Sequence, residues 1–96
     1  MLVMKFGGTS VGGAERISVA AELIAGAKKD RPVVAVVSAM SKVTDTLLET
    51  MRRAEAGDGA GMEANIRQLE QRHVEVCRAL FSAERQPPIL AGIHAL

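Results

Sequence analysis

The chain has 96 residues, which is enough for one small domain, and its net charge of +1 is too low for a nucleic-acid-binding surface. Aromatic residues make up only 2% of the chain, so base stacking is also excluded and any core must be aliphatic. Cys77 is the single cysteine and cannot form an intrachain disulfide. No apolar run approaches the roughly 20 residues of a membrane span, and the start is too short for a signal peptide. We therefore expect a cytoplasmic protein without a membrane partner.

The first element is a short apolar run, Leu2–Phe6, which contains Lys5 and predicts a buried strand. Two glycines, Gly7-Gly8, follow it directly, and Gly12-Gly13 precede the next helix. Glycines let backbone N–H groups approach an anion closely, and a helix N-terminus adds partial positive charge. A lysine within an apolar strand is costly unless its charge finds a partner. The stretch therefore predicts a phosphate-binding loop with Lys5 facing the anion.

Taken alone, the glycine pair is more typical of a tight turn than of a ligand site. Its spacing matches neither the P-loop nor the dinucleotide-binding fingerprint, so the phosphate hypothesis needs support from elsewhere in the chain.

The next two elements complete a strand–helix–strand unit. Apolar residues recur at helical spacing over 14–29, which predicts a helix. The run Val33–Val37 is continuously apolar and rich in β-branched residues, as expected for a strand buried on both faces of a parallel sheet. Two parallel strands joined in this way end at the same edge of the sheet.

A second loop, Ser38–Ser41, follows the second strand. We predict a helix from about Lys42 to Ala56, with Ser41 as its N-cap, and a flexible break over 57–61. A longer helix is expected from about Met62 to Ala83, ended by Pro87-Pro88. On its apolar stripe we interpret His73 and Cys77 as packed core residues. A new apolar segment, Ile89–Leu96, comes last.

Two parallel strands alone do not make a stable sheet, because their edges and faces stay uncovered. We therefore expect the N-terminal portion of a larger α/β domain. The alternative is a small protein that is completed by a partner chain or by self-association.

Three stretches in this order resemble the N-terminus of aspartokinases, members of the amino acid kinase family. They are Lys5–Val11, Arg31–Val37 and Ser38–Asp45. The helix that contains Gln71-Arg72-His73 is also similar. The resemblance implies that residues 1–96 are the N-terminal segment of a catalytic domain, part of a three-layer αβα sandwich with a mainly parallel sheet. The rest of that domain and the ACT regulatory domains would be absent.

The activity implied by the resemblance is ATP-dependent phosphorylation of the β-carboxylate of L-aspartate, with Mg²⁺, toward lysine, threonine and methionine. Lys5 would contact the transferring phosphoryl group as the catalytic residue. The residues implied for ATP or phosphate binding are Lys5, Phe6, Gly7, Gly8 and Ser10. Ser38 and Thr44 would face aspartate, and no residue of this chain is implied as a metal ligand.

Part of the family's site is missing from these residues. The nucleotide pocket, a substrate-handling Glu and most of the magnesium environment would lie beyond Leu96, so we expect the isolated chain to be inactive. At Lys42 many relatives have glycine. This second cation either touches substrate or phosphate, or is solvated at the start of its helix.

Two other functions remain open. The chain could be a non-catalytic fragment that associates with a complementing C-terminal kinase chain or with a copy of itself as a homo-oligomer. It could also be a stand-alone phosphate- or nucleotide-binding module.

Overall fold

The computed structural model describes residues 1–96 and contains two strands and four α-helices. The elements are β1 (Leu2–Phe6), a short 3-10 helix (Gly8–Val11), α1 (Ala14–Lys28), β2 (Val33–Val37), α2 (Val43–Glu55), α3 (Gly59–Leu80) and α4 (Gln86–Ala95). They form two compact units, residues 1–41 and 42–96, and each is described separately. No helix is long and apolar enough to cross a membrane.

The first unit is the predicted strand–helix–strand arrangement with a parallel sheet. β1 and β2 pair in register from Leu2 with Val33 to Phe6 with Val37, so the α/β class and both strand boundaries are confirmed. The amide of Leu2 donates to the carbonyl of Pro32 at 2.9 Å and starts this pairing.

The core of the first unit lies between the sheet and α1. Phe6, Val11 and Ala20 are buried, and partly buried apolar residues surround them: Met4, Ile17 and Ile24. Along β1, Met4 and Phe6 therefore face α1. Their neighbours Val3 and Lys5 point to the other face, because side chains alternate along a strand.

The expectation that both strands are buried is wrong for this chain. Val3 is 62% exposed, and Val34, Val36 and Val37 are 44%, 49% and 61% exposed. The reason is that this unit has a single α-helix, which covers one face of the sheet. Val3, Val34 and Val36 lie on the other face and therefore remain in contact with solvent, whereas Val37 pairs with Phe6 on the α1 side and is exposed at the carboxyl end of β2.

The second unit starts with α2 and α3, which pack against each other across a tight turn. Gly57 takes a positive φ of 77° in this turn. The predicted break over 57–61 is too long, since α3 already begins at Gly59. Asp58 makes this start possible, because its carboxylate accepts a hydrogen bond from the amide of Gly61 at 2.9 Å and caps the helix.

α3 ends at Leu80, and Pro87-Pro88 do not terminate it as predicted. These prolines lie in the first turn of α4. Backbone N–H groups in the first turn make no hydrogen bond within the helix, so proline, which lacks this group, is tolerated there. Cys77 is 3% exposed and is a core residue, as predicted. The ring Nδ1 of His73 lies 2.6 Å from the carbonyl of Leu69, which agrees with a packed histidine.

Candidate functional site

The two loops of interest leave the sheet side by side. β1 ends at Phe6 and β2 at Val37, and these residues are paired, so both chains exit at the carboxyl edge. The amide of Ser38 donates to the carbonyl of Phe6 at 3.0 Å, which extends the pairing one residue beyond β2. Ligands of parallel α/β sheets bind at this edge.

The first loop, residues 7–13, we call the glycine loop. Gly7 is extended, and a turn of 3-10 helix follows over Gly8–Val11. Val11 is buried and anchors the loop in the core, whereas Thr9 and Ser10 stay exposed. The loop is therefore held in place by Val11 and exposes hydroxyl and backbone groups to solvent.

The second loop, Ser38–Ser41, contains the Ser38 that the resemblance predicts to face aspartate. For that prediction we call it the substrate loop, and it packs directly on the glycine loop. A Cβ built on Gly8 would lie 3.5 Å from the hydroxyl of Ser38, 3.5 Å from the carbonyl of Ala39 and 3.7 Å from the Cα of Ser41. The Ser38 hydroxyl donates to the carbonyl of Ala39 at 2.8 Å, so its oxygen remains available as an acceptor. The structure thus brings Gly8 and Ser38 together.

Lys5 lies one residue before the carboxyl end of β1 and pairs with Val36. Its side chain is exposed on the uncovered face, beside the exposed valines. The burial argument for an anionic partner therefore does not apply in this chain, because the Lys5 ammonium is already solvated. Exposure at the carboxyl edge leaves the side chain free to reach a ligand there.

Phe6 and Ser10 lie on the opposite, α1 side of the sheet. Phe6 is 8% exposed and its side chain is part of the core, so only its backbone could meet a ligand. Together with Ser10 it lines a cleft of about 410 Å³ whose other walls belong to α1. Ser10 therefore does not share the face from which Lys5 projects.

The N-terminus of α1 opens on a second cleft of about 410 Å³, which includes Thr9, Arg16 and Ser41. Gly13 is the N-cap residue and supplies no side-chain cap. The sequence analysis did not identify Thr9 or Arg16 as candidate site residues. Their position beside the substrate loop depends on the packing of the two loops, for which the sequence carries no local signal.

Thr44 lies in the first turn of α2, in the second unit, and is exposed. The prediction of Ser41 as the cap of this helix is wrong, because Lys42 is the N-cap residue and no side chain caps the helix. Ser41 instead packs against Gly12, 3.6 Å from the position of a Cβ there. Lys42 has a φ of 66°, a left-handed conformation that favours glycine and explains why glycine suits this position.

The chain contains no cluster of three or more His, Cys, Asp or Glu residues that could hold a metal ion. The glycine loop exposes Gly7 and the hydroxyl-bearing residues Thr9 and Ser10 to solvent.

Known proteins are similar to this chain over most of its length. The sequence model of the amino acid kinase family matches residues 1–90. The bifunctional aspartokinase/homoserine dehydrogenase 1, chloroplastic, of Arabidopsis thaliana is 45% identical over 92 residues, which are 96% of this chain and 10% of that protein. The aspartokinase of Chlamydia muridarum (strain MoPn / Nigg) is 42% identical over 79 residues, 82% of this chain and 16% of that protein.

The aspartokinase of Bacillus sp. (strain MGA3) is 49% identical over 57 residues, which are 58% of this chain and 14% of that protein. The chain thus spans about a tenth of the length of the bifunctional relatives it matches. These matches confirm the resemblance to aspartokinases, and the chain belongs to the amino acid kinase family.

Proposed function

We propose that the polypeptide to which these residues belong is an aspartate kinase, which phosphorylates the β-carboxylate of L-aspartate to 4-phospho-L-aspartate with ATP. The observation that carries this proposal is the contact between the glycine loop and the substrate loop at the carboxyl edge of a parallel sheet. The names of the relatives support the choice of aspartate. A cytoplasmic location and the route to lysine, threonine and methionine belong to the same proposal.

Lys5 has the role of neutralising charge during phosphoryl transfer. The reaction brings a carboxylate and a polyphosphate together, so positioning and charge stabilisation matter more than covalent chemistry. The Lys5 ammonium group and backbone N–H donors from Gly7 and Gly8 offset the repulsion as the reaction proceeds. The exposed position of Lys5 at the carboxyl edge supports this role.

Ser38 and Thr44 are proposed to face aspartate. The Ser38 hydroxyl lies next to Gly8, so a group held by Ser38 is close to the glycine loop. ATP enters as co-substrate with Mg²⁺, and no step is assigned to the metal because this chain lacks a ligand cluster for it.

The direct test is an assay of L-aspartate-dependent ADP formation, with trapping of the acyl phosphate by hydroxylamine. The full-length polypeptide should form the aspartyl hydroxamate, and residues 1–96 alone should not. Absence of the hydroxamate from a folded full-length protein refutes the aspartate kinase function. Product formation by the 96-residue chain refutes its predicted inactivity.

A second function, association with a complementing chain, is favoured by the uncovered sheet face. Val3, Val34 and Val36 share that face and are all about half exposed or more. Exposed apolar faces of this kind mark interaction surfaces. Size-exclusion chromatography tests this function: a monomer at high concentration that does not bind the separately expressed remainder of the kinase domain counts against it.

A further inference from the structure

One face of α2, in the second unit, is both apolar and exposed. Leu47, Leu48 and Met51 are 48%, 46% and 60% exposed. Met51 lies four residues after Leu47 and three after Leu48, so the three side chains adjoin one another on a single face of the helix. We call this face the apolar stripe. Contiguous apolar surface of this kind marks an interaction site.

The side of α2 that is buried carries hydroxyls instead. Thr46 and Thr50 are partly buried, and each hydroxyl donates to a carbonyl one turn earlier, that of Lys42 at 3.1 Å and that of Thr46 at 2.7 Å. These hydroxyls are therefore satisfied and can point into the unit. Val43 is buried on the same side. Because α2 packs with this side inward, its apolar stripe faces solvent.

Two opposite charges border the apolar stripe on one flank. Asp45 and Arg52 are seven residues apart, which is close to two helical turns, and both are next to Leu48 on the helix surface. Asp45 forms no ion pair, and Arg52 is 74% exposed with only a 3.8 Å contact to Glu49. The flank therefore offers a negative charge near the start of the stripe and a positive charge near its end.

A second copy of α2 that runs in the opposite direction complements this pattern. A two-fold axis at right angles to both helices keeps the charged flanks on the same side of the interface and reverses their direction. Asp45 of each copy then lies opposite Arg52 of the other, so the ion pair forms twice. In a parallel pair the charged flanks lie on opposite sides of the interface and do not meet.

We propose that the apolar stripe of α2 is a self-association surface, on which a second copy of this chain packs antiparallel with Asp45 opposite Arg52. This surface belongs to the second unit, whereas the uncovered sheet face belongs to the first, and its use does not depend on the proposed function. A helix of 13 residues is about 20 Å long and offers less than the roughly 800 Å² per partner of a standard interface. The pairing is therefore weak by itself, and its detection requires a probe on α2.

The test places a thiol on the apolar stripe of the full-length polypeptide. Leu48 lies next to the expected two-fold axis, so Leu48→Cys should give a covalent dimer with a short bis-maleimide. Leu23→Cys is the matched control, because Leu23 is a similarly exposed leucine of α1 and should not cross-link. The native Cys77 is buried and should not react.

Charge reversal then tests the antiparallel arrangement. In the Leu48→Cys background, Arg52→Asp places two acidic pairs at the interface and Asp45→Arg places two basic pairs, so each should slow cross-linking at least about tenfold. Mixing the two variants restores both pairs of opposite charge. Mass spectrometry should then show mixed dimers that form about as fast as the dimer of Leu48→Cys. A variant that had failed to fold would not recover on mixing.

The other occupants of the apolar stripe give different results. If the thiol at position 48 does not react with a monofunctional maleimide, the rest of the polypeptide covers the stripe and the inference is overturned. A reactive thiol that gives no covalent dimer indicates a different partner, which overturns it as well. Cross-linking that is insensitive to both charge reversals, or that does not return in the mixture, excludes the antiparallel pair.

Discussion

The amide of Ser38 donates a hydrogen bond to the carbonyl of Phe6 at 3.0 Å, and this bond ties the exit of β2 to the exit of β1. It fixes where the substrate loop starts relative to the glycine loop. The hydroxyl of the same serine lies against Gly8. One residue thus links the two strands through its backbone and the two loops through its side chain.

Lys5→Ala in the full-length enzyme should lower kcat by about 10²- to 10³-fold, the usual effect of removing one fixed group that stabilises transition-state charge. Lys28→Ala is the matched control, because Lys28 is also an exposed lysine but lies at the end of α1. Steady-state kinetics with saturating ATP and aspartate measure the effect. Turnover near the wild-type value in Lys5→Ala rules out the assigned role.

Lys42→Gly should stabilise the chain. The left-handed conformation at φ 66° costs a non-glycine residue about 1–2 kcal/mol, and replacement by glycine removes this cost. The greater freedom of glycine in the unfolded chain offsets about 0.5–1 kcal/mol of that stabilisation. A net gain of about 0.5–1 kcal/mol corresponds to a rise in Tm of a few degrees, measurable by circular dichroism. Lys28→Gly, a helical position, should lower Tm. A fall in Tm for Lys42→Gly contradicts the prediction.

Asp58 should contribute stability that depends on pH. The hydrogen bond from the amide of Gly61, followed by that from Arg53, lowers the pKa of the Asp58 carboxyl below its ordinary value of 3.8. A lowered pKa in the folded state means that the charged form stabilises the fold above pH 3.8 and that this contribution is lost as pH falls through the folded-state pKa.

The Tm difference between wild type and Asp58→Ala should therefore be constant near neutral pH and shrink as the pH falls below 3.8. Asp58→Asn keeps a side-chain oxygen that can cap the helix, so it should lower Tm less than Asp58→Ala does. A Tm difference between the two proteins that grows on acidification would contradict a lowered pKa of Asp58 in the folded state.

Gly61→Ala should fail to give the stabilisation that alanine normally brings to a helix. Replacing a helical glycine gains about 0.5–1 kcal/mol, but here the new methyl group would collide with the carboxylate of Asp58 and the guanidinium of Arg53. Moving these groups sacrifices the hydrogen bond by which Asp58 caps the helix. Gly59→Ala, with nothing within 4 Å of its Cβ, should raise Tm.

A double-mutant cycle separates these two effects. In the Asp58→Ala background, Gly61→Ala should become stabilising, because no cap remains to be displaced. An unchanged effect of Gly61→Ala in that background excludes the collision as its cause.

Asn65→Leu should also stabilise the second unit. The side-chain Nδ2 of Asn65 is buried without a hydrogen-bond partner, and an unsatisfied buried donor costs about 1–3 kcal/mol. A leucine of similar shape removes that donor, so we expect a higher midpoint in urea denaturation. Asn65→Asp, which would bury part of a charge instead, is expected to lower the midpoint. A lower midpoint for both variants indicates that the amide is satisfied in solution.

Local chemistry was sufficient to predict much of this protein from its sequence. The continuously apolar, mainly β-branched run at 33–37 and the apolar run at 2–6 located both strands correctly, and their order implied parallel pairing. The helix cores were also predictable, because apolar residues recur at helical spacing. The motif stretches were enough to identify the amino acid kinase family.

Other features depended on tertiary structure. Only the structure revealed that Ser41 packs against Gly12 instead of capping α2, because a serine before a helix is compatible with both arrangements. Similarly, the prolines at 87 and 88 could end one helix or begin another. The sequence determined which residues prefer a strand, a helix or a glycine turn, since those preferences are local. The exposure of Lys5 and the contacts of Gly8 and Gly12 with the substrate loop were decided by tertiary packing, because each depends on residues that are distant along the chain.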